Sequence, residues 1–146
     1  MERFSLFNTH FKSSCELFKT VSSQLLASGF VTQGFEEALN ERENSFPTAL
    51  PVEPSVAIPH TDGSYVKKDA IFCVLNDEGI AFGEMGGDKG SVLRPRLVFV
   101  LAMQQGDAHL EELQHLVERL QDSEAIQTIL RSKDMEDFKK SIMKFF

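Results

Sequence analysis

The sequence predicts an α/β fold: one domain, residues 1–146, in which a mixed β-sheet lies between helix layers. Helical patterns begin and end the chain, and two uninterrupted apolar runs of strand length lie between them. Strand-length runs in which apolar residues do not alternate with polar ones are typical of strands that helices cover on both faces. The 146 residues, 42% of them hydrophobic, suffice for one substantial core. A three-layer α/β/α arrangement follows.

The first third of the chain predicts two helices. The first extends from Ser14 to about Ser28, with Gly29 at the position of a C-terminal cap. Thr32 is expected to cap a second helix that continues to about Arg42. The apolar positions of the first helix recur at helical spacing: Leu17, Phe18, Val21, Leu25 and Leu26.

The middle of the chain predicts strands. Three prolines in residues 45–54 predict a loop or extended chain. Three strands are then expected: Val56–Ile58, Asp69–Asn76 and Arg96–Met103. A glycine-rich segment between the last two, residues 79–90, predicts a short strand and a turn.

The last third predicts helices again. One begins near Ala108 with a leucine stripe, and a second begins with Asp122 or Ser123 as its cap. The segment 132–146 predicts a partly amphipathic last helix.

Charge and cysteine content limit the classes of function. A formal net charge of −7 disfavours nucleic-acid binding, although it permits a small anion in a local basic pocket. Cys15 and Cys73 fall in apolar contexts and are expected to be buried thiols in a reducing compartment. The chain shows no signal-peptide pattern and no apolar run long enough for a bilayer. A cytoplasmic location is expected.

His60 is the first candidate for chemistry. It follows Pro59 at the end of the apolar run Val56–Ile58, where a polar residue could simply end a strand. Alternatively, a neutral imidazole there could attack phosphorus and pass the phosphoryl group on. Pro59 would limit the freedom of this segment, and Arg42 could neutralise phosphoryl oxygens through a two-pronged contact.

The other histidines are not equivalent. At about 100° per residue, His109 lies within about 40° of Leu113, whereas His115 points about 160° away from it. His115 is therefore assigned to the solvated face, and His10 to the surface. His109 lies in the first helical turn, where it could help to bind an anion. Geometry alone favours the alternative, a partly buried histidine bonded to a carbonyl.

Two segments resemble a known family. The stretch RENSFPTALPVEPSVAIPH, Arg42 to His60, resembles the active-site signature of the fructose/mannitol class of enzyme IIA components. These proteins belong to the bacterial sugar phosphotransferase system. The segment beginning at His109, HLEELQHLVERLQDSEAIQTIL, resembles the second-histidine helix of the same class. Within the class, FPTAL, AIPHTD and FGEMGG are most similar to the galactitol-specific branch.

The resemblance implies a phosphotransferase activity. His60 would accept a phosphoryl group from phospho-HPr and pass it to a cysteine of a separate IIB component. IIB would phosphorylate the sugar, which enters through the membrane component IIC. His109 and Arg42 would bind or orient the phosphoryl group. No metal or organic cofactor is implied.

Three neighbouring residues leave alternatives open. Thr48 could donate a hydrogen bond near His60 or cap a turn. Glu43 could orient a site group, although a solvated helix end is favoured. Asp62 could fix the tautomer of His60, although a turn is favoured.

Competing functions also remain. A nitrogen-type regulatory IIA protein would be phosphorylated on the same histidine without feeding transport. A metal module would use His60, Asp62 and His109 as ligands. In an interaction domain without catalysis, His60 would merely end its strand.

Overall fold

The chain forms a four-stranded sheet with helices on both faces and a separate two-stranded hairpin. A computed structural model describes residues 1–104 and 107–146, and for residues 107–109 it describes the backbone alone. The strands are β1 (Glu2–Thr9), β2 (Val56–Ala57), β3 (Ala70–Asn76), β4 (Phe82–Gly83), β5 (Val92–Leu93) and β6 (Leu97–Ala102). The helices are α1 (Ser14–Ala27), α2 (Phe35–Ser45), α3 (Asp107–Arg119), α4 (Ser123–Leu130) and α5 (Met135–Phe145).

The sheet is mixed, as predicted. Its strand order is β1-β3-β6-β2, and β4 pairs with β5 in the hairpin. β1 runs parallel to β3 and β2 runs parallel to β6, while β3 and β6 are antiparallel. In the two inner strands, Phe72 is paired with Val100 and Cys73 with Phe99.

Alternate residues of the inner strands serve two separate cores. Phe72 and Val100 face one core, and Cys73 and Phe99 face the other. Helices α1 and α2 cover the first core, whereas α3, α4 and α5 cover the second. Both inner strands are buried along their whole length, which explains why their sequences show no alternation. The prediction of a sheet between helix layers is confirmed.

Strand β1 lies at an edge of the sheet and was not predicted. Phe4 and Leu6 pack against the first core and Phe7 against the second. Glu2, Arg3 and Asn8 remain exposed. An edge strand buries less of each face than a central one, so its apolar run is short and broken by Arg3 and Ser5.

Helix α2 begins later than predicted, and Thr32 does not cap it. The residue before the helix is Gly34, whose φ of 99° is left-handed and favours glycine. The Thr32 hydroxyl donates to the Tyr65 carbonyl oxygen at 3.4 Å. It is therefore committed to the neighbouring chain segment rather than to the helix. At α4, Asp122 does cap the helix by accepting from the Ala125 N–H at 3.2 Å.

A buried amide connects the ends of β1 and β3. Asn76 is fully buried, and its Oδ1 accepts from the Thr9 hydroxyl at 2.8 Å and from the Phe11 N–H at 2.9 Å. Its Nδ2 donates to the carbonyl oxygens of Phe11 and Glu78. Each side-chain group of this buried amide therefore has partners, as burial requires.

The two cysteines differ in exposure. Cys73 is buried in the sheet, and burial raises the pKa of its thiol to about 12. Cys15 is exposed in the first turn of α1, so the prediction that it is buried is wrong. Cys15 lies on the outward side of α1, whereas Leu17 and Phe18 are buried in the core.

Among the helices within residues 1–104 and 107–146, none combines the length and apolarity needed to cross a membrane.

Candidate active site

His60 is held at the end of a short strand between two other segments. On one side, the Leu101 N–H donates to the Pro59 carbonyl oxygen at 2.9 Å. On the other, the Ile58 N–H donates to the Thr48 carbonyl oxygen at 3.3 Å. The backbone that presents the imidazole is thus fixed from both sides.

Within the described part of the chain, the His60 ring makes a hydrogen bond through its Nδ1. Its Nδ1 lies 2.8 Å from the carbonyl oxygen of Ile58. Because a carbonyl oxygen can only accept, Nδ1 must carry a proton. In the neutral ring the lone pair is then on Nε2, so Nε2 is the nitrogen that could act as a nucleophile.

The surroundings of His60 favour its neutral form. Burial of the half-buried ring lowers its pKa below 6.5, and the positive charge of Arg42 lowers it further. The hydrogen bond to Ile58 opposes these effects only in part. The imidazole therefore stays neutral to a lower pH than a free histidine would.

A cleft of about 1100 Å³ opens beside His60. Arg42, Thr48 and His60 all line it, so the structure brings together three of the four predicted site residues. The side chain of the fourth, His109, lies outside the described part of the chain. Other walls come from residues 44–47, from the hairpin segment 83–92 and from α3, where Leu113 and Val117 contribute.

Arg42 is exposed at the end of α2 and stacks on an aromatic ring. Its guanidinium carbon lies 4.5 Å from the centroid of Phe46, which is itself 59% exposed. Stacking orients the planar cation without consuming its N–H donors. Sequence reasoning missed Phe46, although its position four residues after Arg42 predicts contact on a helix surface.

Thr48, which lines the cleft, forms a buried pair with Glu43, which does not. The Thr48 hydroxyl donates to Oε1 of Glu43 at 2.6 Å, and the Thr48 N–H donates to Oε2 at 2.8 Å. The hydroxyl is therefore bonded to Glu43. The favoured interpretation of Glu43 as a solvated helix end is wrong, since only 9% of the residue is exposed.

Glu43 gives the protein an expected pH dependence of stability. Burial raises its pKa from 4.5 to about 7, against the opposing effect of the two hydrogen bonds from Thr48. The folded carboxyl group holds its proton more tightly than the unfolded one. Its contribution to the free energy of unfolding is therefore complete below pH 4.5 and is lost as the pH rises through about 7. The loss amounts to roughly 3 kcal/mol, at about 1.4 kcal/mol per pKa unit.

Urea unfolding of the wild type and of Glu43→Gln between about pH 5 and about pH 8 measures this loss. The amide can keep both contacts to Thr48 but does not titrate, so the wild type should lose stability relative to the variant. Glu37→Gln, an exposed change on the same helix, should parallel the wild type. Parallel curves for Glu43→Gln and the wild type would contradict the expectation.

The remaining polar candidates are accounted for locally. Asp62 accepts from the N–H and hydroxyl of Ser64 at 2.9 and 2.7 Å, which confirms the favoured turn. His115 is exposed on α3, as predicted. His10 is exposed as well, and its Nδ1 lies 2.7 Å from Asp77 Oδ2. Among the described residues, no group of three or more His, Cys, Asp or Glu side chains could hold a metal ion.

The hairpin packs closely against the segment that carries Thr48. A Cβ atom at Gly83 would lie 2.7 Å from the Cβ of Pro47, so only glycine fits without a shift. The N–H of Ala49 donates to the carbonyl oxygen of Gly83, and the N–H of Met85 donates to that of Ala49. This cleft wall is thus tied to the site.

Comparisons with known proteins identify the family of this chain. A family model described as "Phosphoenolpyruvate-dependent sugar phosphotransferase system, EIIA 2" matches residues 2–144. The galactitol-specific EIIA component of Escherichia coli is 26% identical over 121 residues, which cover 82% of this chain and 79% of that protein.

Solved structures share the fold. In the complex of enzyme IIAMTL and phosphorylated enzyme IIBMTL from Escherichia coli, the matching chain has a TM-score of 0.77 at 20% identity, covering 96% of this chain and 94% of that one. The nitrogen regulatory protein IIA-Ntr from Neisseria meningitidis has a TM-score of 0.72 at 21% identity, with 96% and 91% covered. Arg42, Thr48 and His60 line one cleft, and the family model matches nearly the whole chain, which leads to one conclusion: the chain belongs to the EIIA 2 family of the phosphoenolpyruvate-dependent sugar phosphotransferase system.

Proposed function

We propose that this protein is a histidine phosphocarrier that accepts a phosphoryl group from phospho-HPr on His60 and passes it to a IIB component. The observation that carries the proposal is the bond from His60 Nδ1 to the Ile58 carbonyl oxygen at 2.8 Å. It assigns the proton to Nδ1 and leaves the lone pair on Nε2 of a residue that lines the cleft.

The transfer balances without a cofactor. The Nε2 lone pair of His60 attacks phosphorus while the N–P bond to the histidine of HPr breaks, and that imidazole keeps the bonding electron pair. In the second step a cysteine thiolate of IIB attacks the same phosphorus, and the lone pair returns to Nε2. Each step asks the protein mainly for positioning and for charge stabilisation.

Arg42 supplies positive charge where the phosphoryl group arrives. Its guanidinium lines the same cleft as His60, and its charge already acts on the pKa of that ring. A guanidinium suits phosphoryl oxygens because it can donate two parallel hydrogen bonds. His109 remains part of the proposal by its place in the first turn of α3, where a helix offers free N–H groups to an anion.

The proposed route serves uptake of galactitol or a related polyol through IIB and the membrane component IIC, with this protein in the cytoplasm. The similarity to the galactitol-specific EIIA component supports this assignment. The alternative is a regulatory role of the nitrogen type, with the same histidine phosphorylated but no sugar fed. The fold likeness to IIA-Ntr motivates that alternative.

A stepwise transfer assay tests the proposal. Purified protein is mixed with radiolabelled phosphoenolpyruvate, enzyme I and HPr, and should gain an acid-labile, alkali-stable label. Galactitol-type IIB is then added, with mannitol-type IIB as the matched control, and label should move faster to the former. Absence of label in the first step would contradict the phosphocarrier function. Label that no IIB accepts would instead favour the regulatory role.

A further inference from the structure

A chain of hydrogen bonds connects the buried carboxyl group of Glu43 to the His60 ring. Glu43 accepts from the N–H and hydroxyl of Thr48. The Thr48 carbonyl oxygen accepts from the Ile58 N–H at 3.3 Å. The Ile58 carbonyl oxygen in turn accepts from Nδ1 of His60 at 2.8 Å. Each link therefore fixes the position of the group that makes the next one.

The carboxyl group is placed to hold this chain rather than to contact a substrate. Both of its oxygens bind Thr48, and Glu43 does not line the cleft that His60, Arg42 and Thr48 share. It projects from α2, which is anchored in the first core through Phe35 and Leu39. Thr48 begins an extended segment, residues 48–50, soon after the end of that helix. The hydrogen bonds of Glu43 therefore hold the start of this segment against α2.

The extended segment also bears on the strand that carries His60. Its residues pair with Val56–Ile58 through the bond from the Leu50 N–H to the Val56 carbonyl oxygen at 2.9 Å and through the Thr48 bond to Ile58. Displacement of Thr48 would therefore move the Ile58 peptide, which is the group that selects the His60 tautomer.

We propose that Glu43 is a positioning residue for His60, acting through Thr48 and the Ile58 peptide to fix the orientation and tautomer of the nucleophilic ring. This inference rests on the proposed function of His60. It assigns to the carboxyl group neither contact with phosphate nor proton transfer. An amide of the same shape should therefore replace it, because it can accept from the Thr48 N–H and donate to the Thr48 hydroxyl.

Nitrogen-15 NMR of the histidine rings tests the positioning directly, in the unphosphorylated protein. In the wild type, His60 should give the signals of a ring protonated at Nδ1 and bare at Nε2. In Glu43→Ala these two shifts should move toward each other as both tautomers become populated. Glu43→Gln should keep the wild-type pattern, and Glu37→Ala, an exposed change on the same helix, should have no effect.

Rates of phosphoryl acceptance from phospho-HPr complete the test. Glu43→Ala should lower kcat about tenfold, the usual scale for a group that orients a reacting one, and leave KM for phospho-HPr unchanged. Glu43→Gln should restore the rate.

Two outcomes would overturn the inference. One is a folded Glu43→Ala protein with wild-type His60 signals and rate. The other is a Glu43→Gln protein as impaired as Glu43→Ala, which would mean that charge rather than position matters. Failure of the proposed function would look different. If the proposed function is wrong, a His60→Ala protein would still take up label. The His60 ring signals would nevertheless shift in Glu43→Ala as described, because positioning of the ring does not depend on phosphorylation.

Discussion

Replacing His60 with alanine should abolish phosphoryl acceptance while leaving the fold intact. The change removes Nε2, whose lone pair would form the N–P bond in the proposed transfer. Loss of a covalent catalyst lowers a rate by at least about 10⁴-fold. The ring is half-buried and, among the described residues, hydrogen-bonds to Ile58 alone, so the free energy of unfolding should change little. The measurement is label uptake from radiolabelled phosphoenolpyruvate through enzyme I and HPr.

The matched control for this experiment is His115→Ala. His115 is exposed on α3, outside the residues that line the cleft, so its loss should leave uptake unchanged. Retention of label by His60→Ala, with the same acid lability as in the wild type, would refute His60 as the acceptor.

Replacing Arg42 with alanine should slow transfer by about 10²-fold, which is typical for loss of one group that stabilises charge at the transition state. The guanidinium lines the cleft, and Phe46 orients it without using its donors. Arg42→Lys keeps the charge but loses the two-pronged contact and the planar stacking, so its rate should fall between those of the wild type and Arg42→Ala. Initial rates with phospho-HPr measure both effects.

Arg131→Ala is the control for Arg42, since Arg131 is an exposed arginine after α4 that does not line the cleft. Circular dichroism should show the same fold for all three variants. Equal rates for Arg42→Ala and Arg131→Ala would remove Arg42 from the proposed phosphoryl site.

The central strands could be predicted from the sequence because burial on both faces leaves a distinct apolar run. β3 and β6 fall within the predicted ranges Asp69–Asn76 and Arg96–Met103. β1 escaped prediction because an edge strand needs fewer apolar residues. The start of α2 was misplaced for a different reason: the Thr32 hydroxyl bonds to Tyr65, a residue 33 positions away, and no local pattern reports that contact.

In the site, too, features that depend on neighbouring residues could be predicted, and features that depend on tertiary contacts could not. The motif from Arg42 to His60 indicated which residues share a cleft, and Arg42, Thr48 and His60 do line one. Glu43 was misjudged because a charged residue in the last turn of a helix is usually solvated. Its burial depends on how the chain returns after Pro47 to pair with Val56–Ile58, which is a property of the tertiary structure.

The buried amide of Asn76 determines how the sheet is aligned. Both faces of β3 are apolar and buried, so a shift of that strand by one residue would replace apolar side chains with apolar side chains on each face. Hydrophobic burial alone would therefore disfavour such a shift only weakly. The same slip would separate the amide from Thr9, Phe11 and Glu78, at about 1–3 kcal/mol for each abandoned partner. β3 pairs with β6, and the Leu101 N–H of β6 donates to the Pro59 carbonyl oxygen. The register that Asn76 selects for β3 therefore extends to the segment that carries His60. It thereby sets the position of the His60 ring along the sheet.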